Sequence, residues 1–109
     1  MALLAVQSVV STGTTPTAIT PTASDTIPGS TAGPNGWFMR VITTGTASNI
    51  SVLDPGFTAQ SNPGTVTPLA APATGVRMLL IPRAAINTSG VVTVTSSSQT
   101  GLTYELYTA

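Results

Sequence analysis

The chain has 109 residues, a length that fits one domain. Charged residues make up 6% of it, whereas an ordinary soluble domain carries about 25%. The three cations and three anions are Arg40, Arg77, Arg83, Asp25, Asp54 and Glu105. Three cations and a net charge of zero cannot neutralise a phosphate track or an anionic lipid surface, so we expect neither a nucleic acid nor a membrane as partner.

The chain contains no Cys, no His and no Lys, which removes most catalytic chemistry. Thiolate nucleophiles, disulfides and thiolate–zinc sites need Cys, and His is the usual general base and the commonest metal ligand. A two-carboxylate glycosidase is the one acid–base scheme left, and it needs two of the three scattered carboxylates to meet. We therefore expect no enzyme, no catalytic residues, no metal site and no cofactor.

Small hydroxyl residues fill the chain instead, with 21 Thr and 11 Ser beside nine Pro and ten Gly. Thr is β-branched and suits strands, and Pro and Gly supply turns. Mean hydropathy is positive at +0.37, which is not typical of disorder. This composition favours an all-β domain over residues 1–109.

The first third of the chain begins with an apolar run and continues as an extended segment. Residues 4–10 predict a first strand rather than a signal peptide, because no basic region precedes them. Residues 11–36 are rich in Pro, Thr and Gly and predict an arm or loop, with a short edge strand at Ile19 and a turn at Asp25.

A turn at residues 34–36 leads into the most strand-like segment, residues 37–44. Both of its faces are mostly apolar, which predicts a central strand covered on both sides. Residues 48–53 follow a short turn and predict a hairpin partner for it.

The remaining segments predict further short strands. These are residues 65–67, 76–81, 91–95 and 102–107, with a helical turn within residues 82–87 and a turn at residues 87–90. Seven or eight strands spaced about ten residues apart indicate a small β-sandwich, of either jelly-roll or Ig-like topology.

Large or charged side chains in unusual places are candidates for a protein interface. They are Trp37, Arg40, Phe57, Arg77 and Arg83. For each Arg the alternative is a side chain that reaches the rim of the sandwich or pairs with a carboxylate. For Trp37 the alternative is the core, and for Phe57 it is a side chain tucked beneath its own loop. A surface with so few charges suits a chain that stays packed against other protein.

Several segments resemble small head proteins of tailed phages. Residues 5–17 (AVQSVVSTGTTPT) and 23–28 (ASDTIP) are similar to the N-terminal half of capsid decoration proteins, also called cement proteins. Residues 87–95 (NTSGVVTVT) resemble their penultimate strand, and residues 76–78 (VRM) fit the strand before it. The likeness covers about two thirds of the chain and departs from the pattern over residues 30–73.

The resemblance implies a structural virion protein on the outer surface of a phage capsid. Such a protein binds the major capsid protein and itself, often as a homotrimer, and clamps neighbouring subunits so that the shell resists internal pressure. The arm would extend over a neighbour. The alternative is a β-sandwich binding module of a phage tail, neck or adhesin that recognises a carbohydrate or a receptor.

Overall fold

The computed structural model describes residues 2–53 and 68–109, which form eight strands and two 3-10 turns. The strands are β1 (Ala2–Leu3), β2 (Ser24–Pro28), β3 (Trp37–Thr44), β4 (Ser48–Val52), β5 (Leu69–Ala71), β6 (Thr74–Ile81), β7 (Val91–Ser96) and β8 (Leu102–Thr108). The 3-10 turns are Gly29–Thr31 and Arg83–Ala85. Among these residues no helix has the length and apolar character that a membrane crossing requires.

The strands form two sheets that enclose one core, so the expected small all-β sandwich is confirmed. Sheet A has the order β1-β2-β7-β4-β5, and sheet B has the order β6-β3-β8. All strand pairs are antiparallel except β1 with β2. Most neighbouring strands are far apart in sequence, as is usual in sandwiches.

The core lies between the sheets and follows the period-two pattern of the strands. In β8, Leu102, Tyr104 and Leu106 are buried, as their alternation predicts. In β3 the buried residues are Trp37, Met39, Val41 and Thr43. The other buried apolar side chains are Leu4, Ile27, Ile50, Ala71, Ile81, Val92 and Val94.

The prediction of a strand over residues 4–10 is wrong. The strand β1 comprises only Ala2–Leu3 and runs parallel to β2, which itself lies inside the predicted arm. Leu4 is buried in the core and so anchors the chain just after β1. Asp25 belongs to β2 rather than to a turn, although its carboxylate does accept the backbone N–H of Thr22 at 2.9 Å.

Residues 5–20, which include the start of the predicted arm and which we call the arm from here on, lie along the outer edge of β8 instead of extending away. The N–H of Gln7 donates to the carbonyl of Leu106 at 2.9 Å, and the N–H of Thr108 donates to the carbonyl of Gln7 at 2.8 Å. Ile19 exchanges two backbone hydrogen bonds with Tyr104, at 2.7 and 2.9 Å. These contacts satisfy backbone groups that an edge strand otherwise presents to solvent.

The predicted hairpin of residues 37–44 with residues 48–53 does not form. The chain crosses after Gly45 to the opposite sheet, where β4 pairs with β5 and β7. Adjacency in sequence favours a hairpin, but the crossing lets Ile50 pack into the same core cluster as Met39 and Val41. Burial of the inner faces of β3 and β4 in one core therefore outweighs the pairing of these two strands as a hairpin.

Several local predictions are confirmed. The turn before β3 is closed by reciprocal backbone bonds between Gly33 and Gly36, and Gly36 has a φ of 91°. A side chain at Gly36 would collide with the carbonyl of Ile81, so the turn needs glycine. The helical turn after β6 and the turn closed by Gly90 are also observed. Phe57 and the predicted strand over residues 65–67 lie outside the described residues.

Candidate interaction surface

The outer face of sheet B, turned away from the core, is the most distinctive surface of the described residues. Register places Phe38 between Leu80 and Tyr107, and the next outward residue of β3, Arg40, between Met78 and Glu105. The third outward residue of β3, Ile42, lies between Val76 and Thr103. We call these nine residues the sheet-B face.

Apolar side chains dominate the sheet-B face and are open to solvent. The exposed fractions are 44% for Phe38, 46% for Val76, 52% for Leu80 and 62% for Met78. Single exposed apolar residues are ordinary, whereas a contiguous group of them is a candidate interaction surface. The prediction that β3 is covered on both sides is therefore wrong, since only its inner face is covered within the described residues.

The two charges of the sheet-B face are paired with each other. Nη1 of Arg40 lies 3.0 Å from Oε1 of Glu105, across the β3–β8 pair. Oη of Tyr107 donates a hydrogen bond of 2.7 Å to the same carboxylate oxygen. Glu105 is only 7% exposed, so its charge is largely removed from water and satisfied within the face.

These contacts shift the titration of both partners. The hydrogen bond from Tyr107 is the main cause that lowers the pKa of Glu105, and the hydrogen bond and charge of Arg40 add to it against the effect of burial. Burial is the main cause that raises the pKa of Tyr107, and its hydrogen bond to Glu105 acts in the same direction. Glu105 is accordingly an anion at neutral pH.

The sheet-B face combines apolar side chains with one carboxylate whose pKa is lowered. The hydrogen bonds from Tyr107 and Arg40 both reach Oε1 of Glu105 and lower its pKa, whereas a general acid working at neutral pH needs a raised one. No group of three carboxylates or other metal ligands occurs in residues 2–53 and 68–109. An apolar face around a satisfied ion pair can bury area against a partner without leaving an unpaired charge.

The predicted interface residues divide among several environments. Trp37 is fully buried, and its indole Nε1 donates to Oγ1 of Thr31 at 3.2 Å, so it belongs to the core and offers no surface to a partner. Arg40 combines both alternatives, since it pairs with a carboxylate within an exposed face. Phe57 lies outside the residues that the structure describes.

The other two Arg residues lie away from the centre of the face. Nη1 of Arg77 donates to the carbonyl of Ala70 at 3.3 Å, and Nη1 of Arg83 donates to the carbonyl of Gly33 at 3.1 Å. Both side chains therefore hold neighbouring backbone within their own chain. The structure brings neither of them together with Arg40.

Sequence reasoning missed the exposed apolar residues as a site. The alternation of β3 already places Phe38 and Ile42 opposite the buried Trp37 and Met39. What the sequence does not state is whether a second layer covers that face. The three outward residues of β6, which are Val76, Met78 and Leu80, become neighbours of β3 only through the sheet register.

Comparison with protein-family models, with curated proteins and with solved structures finds no match for this chain.

Proposed function

We propose that the chain is a structural protein of a phage virion that binds the outer surface of the capsid through the sheet-B face. The observation that carries this proposal is the exposed apolar group around Phe38 and Met78, with its charges paired inside the face. The resemblance of residues 5–17 and 87–95 to decoration proteins supplies the kind of partner. The major capsid protein is then the surface that covers the face, and the chain stabilises the shell by joining neighbouring subunits.

The size of the sheet-B face supports attachment through several copies at once. Three strands spaced about 4.8 Å apart, each contributing five residues to the face, cover about 240 Å² in projection. A standard interface buries about 800 Å² on each partner, so one copy binds weakly by this face alone. Association of copies, as the homotrimer that the resemblance implies, multiplies weak contacts by raising the effective concentration.

A truncation of Phe38 tests the docking face. Phe38 lies on the central strand of sheet B, so the Phe38→Ala change removes exposed apolar area without opening the core. We expect binding to weaken by about 2 kcal/mol, the size of an interface hot spot, or about 30-fold. The measurement is pelleting of the purified variant with heads of the phage that encodes it, with the thermal midpoint as a check of folding.

The matched control is Val9→Ala, which trims an apolar residue that is 69% exposed and does not belong to the nine residues of the sheet-B face. It should leave binding within about twofold of the original. Equal loss of binding in both variants, or intact binding of Phe38→Ala, would reject the face as the docking surface. Recovery of only a few copies per particle, rather than a capsid-like number, would favour the tail, neck or adhesin alternative.

A further inference from the structure

Sheet B has one protected edge and one open edge among the described residues. The arm pairs with β8 through Gln7 and Ile19, which covers that edge. The opposite edge is β6, eight residues long, and no strand within residues 2–53 and 68–109 pairs with its outer side. The edges of sheet A are far shorter, since β1 has two residues and β5 has three.

The backbone groups at the open edge belong to the outward-facing residues of β6. Ala109 N–H donates to Gly36 and Thr44 N–H donates to Gly101, so the even-numbered residues of β3 direct their backbone groups towards β8. The odd-numbered residues of β3 then pair with the odd-numbered residues of β6, because the ladder alternates. The amide and carbonyl groups of Val76, Met78 and Leu80 consequently point out of the sheet.

The open edge carries few of the features that usually keep edges apart. Natural edge strands carry Lys, Pro, a bulge or an inward-pointing charge, which hinder pairing with another chain. Residues 74–81 contain neither Lys nor Pro. Their one charged residue, Arg77, does face the inner side of the sheet, but its Nη1 is engaged by the carbonyl of Ala70 in its own chain. A long apolar edge of this kind pairs readily with a further strand.

We propose that β6 pairs antiparallel with β6 of a second copy across a two-fold axis at Met78. In this register Met78 lies opposite Met78 of the second copy, and Val76 lies opposite Leu80. All three positions have outward backbone groups, so each pair exchanges two N–H···O hydrogen bonds. The result is a continuous six-stranded sheet whose apolar outer faces merge into one surface.

Alternative registers are worse for reasons visible in the strand. A shift that centres the axis on Arg77 places two guanidinium-bearing residues directly opposite each other, which destabilises strand pairing. It also requires pairing beyond Gly75, whose φ of 152° departs from strand geometry. A shift towards the other end of β6 brings in Pro82, which has no N–H to donate.

The size of the contact predicts a weak association that becomes strong in an array. Residues 76–80 span about 17 Å, far less than a standard interface needs. We expect a dissociation constant of about 0.1–1 mM for the isolated chain, near the weak limit of specific association. The contact is separate from docking on a shell, and its two-fold axis runs perpendicular to the face, so it can link copies that lie side by side.

Charge substitutions at Met78 test both the contact and its register. Met78 is 62% exposed, so Met78→Lys and Met78→Glu leave the core untouched. Each variant alone places like charges opposite each other at the axis and should weaken association at least tenfold. An equimolar mixture of the two places opposite charges there and should restore association to the original level or beyond.

The measurement is sedimentation equilibrium of the isolated chain at concentrations up to about 1 mM. The expected result is a reversible doubling of the mass that the chain has at low concentration. Thr103→Lys is the control, because it adds the same charge to the same face on the far side of sheet B. It should leave the doubling unchanged. No doubling in the original chain, equal loss in the control, or no restoration in the mixture would overturn the proposal. None of these readings involves a capsid, so they are independent of shell binding.

Discussion

At the scale of single residues, one pair of opposite charges in the described part of the chain joins two of its own strands. Arg40, Glu105 and Tyr107 join β3 to β8 on the outer side of sheet B. Exposed ion pairs contribute little, about 0–1 kcal/mol, but this carboxylate is largely buried and accepts two hydrogen bonds. These three residues therefore tie β3 to β8 and leave no unpaired charge in the apolar surface around them.

Removal of the Tyr107 hydroxyl tests this trio through acid stability. The lowered pKa of Glu105 means that its stabilising contribution is present at neutral pH and is lost as pH falls through the folded-state pKa. Tyr107→Phe removes the main lowering cause, so the folded-state pKa rises towards its ordinary value. The stability lost on acidification then becomes smaller, and the loss is complete at a higher pH than in the original chain. At neutral pH the expected cost is about 1 kcal/mol.

Urea unfolding from pH 7 to pH 2 measures the effect of Tyr107→Phe. The control is the same change in a Glu105→Gln background, where no carboxylate remains to titrate at this position. There Tyr107→Phe should leave the pH dependence of the unfolding free energy unaltered. An equal shift in both backgrounds would mean that the hydroxyl does not act through Glu105.

At the scale of elements, the arm takes the place of an outer strand for β8. It contributes isolated bridges at Gln7 and Ile19 rather than a ladder. Pro-rich segments cannot supply regular N–H donors, so two anchored points with a loop between them are what such a sequence can provide. The loop is itself held, because Oγ1 of Thr14 accepts from Val10 N–H and donates to the carbonyl of Ser8.

A proline at Gln7 tests the contribution of the arm to stability. The Gln7→Pro change removes the N–H that donates to Leu106, and we expect a loss of about 1–3 kcal/mol of unfolding free energy. Gln7→Ala keeps the backbone bonds and loses only side-chain bonds to the backbone of Thr15 and Thr17, so it should cost less. Hydrogen exchange of Thr108, whose N–H donates to residue 7, should accelerate in the proline variant, and unchanged exchange there would contradict this role.

At the scale of the whole molecule, a nearly neutral surface restricts the forces available for binding. Only six residues carry charge, and among the described ones Arg40 and Glu105 neutralise each other. Binding to a partner must then rest on apolar burial, backbone pairing and hydroxyl hydrogen bonds. These contributions depend little on ionic strength, in contrast with steering by exposed charges.

A salt series tests this conclusion for the proposed attachment to a capsid. Salt raised from about 0.05 M to about 1 M shortens the Debye length from roughly 14 Å to about 3 Å. We expect pelleting with phage heads to change little over that range. Mild chaotrope should release the chain first, because it weakens apolar and backbone contacts. Release by salt while chaotrope has no effect would show that the Arg residues dominate the contact.

The positions of β3, β4, β6, β7 and β8 could be predicted from the sequence, whereas those of β1, β2 and β5, and the strand partners, could not. The predicted strand at residues 37–44 matches β3, and the predicted segments at 76–81, 91–95 and 102–107 agree with β6, β7 and β8 to within two residues at each end. Period-two alternation and flanking turn residues are local signals, so they are readable one segment at a time. Pairing in a sandwich joins distant segments, and no local pattern records it.

The sequence by itself determined an all-β chain with no Cys, His or Lys chemistry and with many Thr-rich strands, because composition and alternation are properties of the chain alone. Tertiary structure alone decided which apolar faces are covered. The two faces of β3 are similar in composition, yet Trp37 is buried and Phe38 is exposed, since sheet A packs against one side only. The register between β3 and β6 places the outward residues of β6 beside Phe38, and together they form the candidate surface. This could not be read from the sequence, because a sheet face is assembled from strands that are remote in sequence.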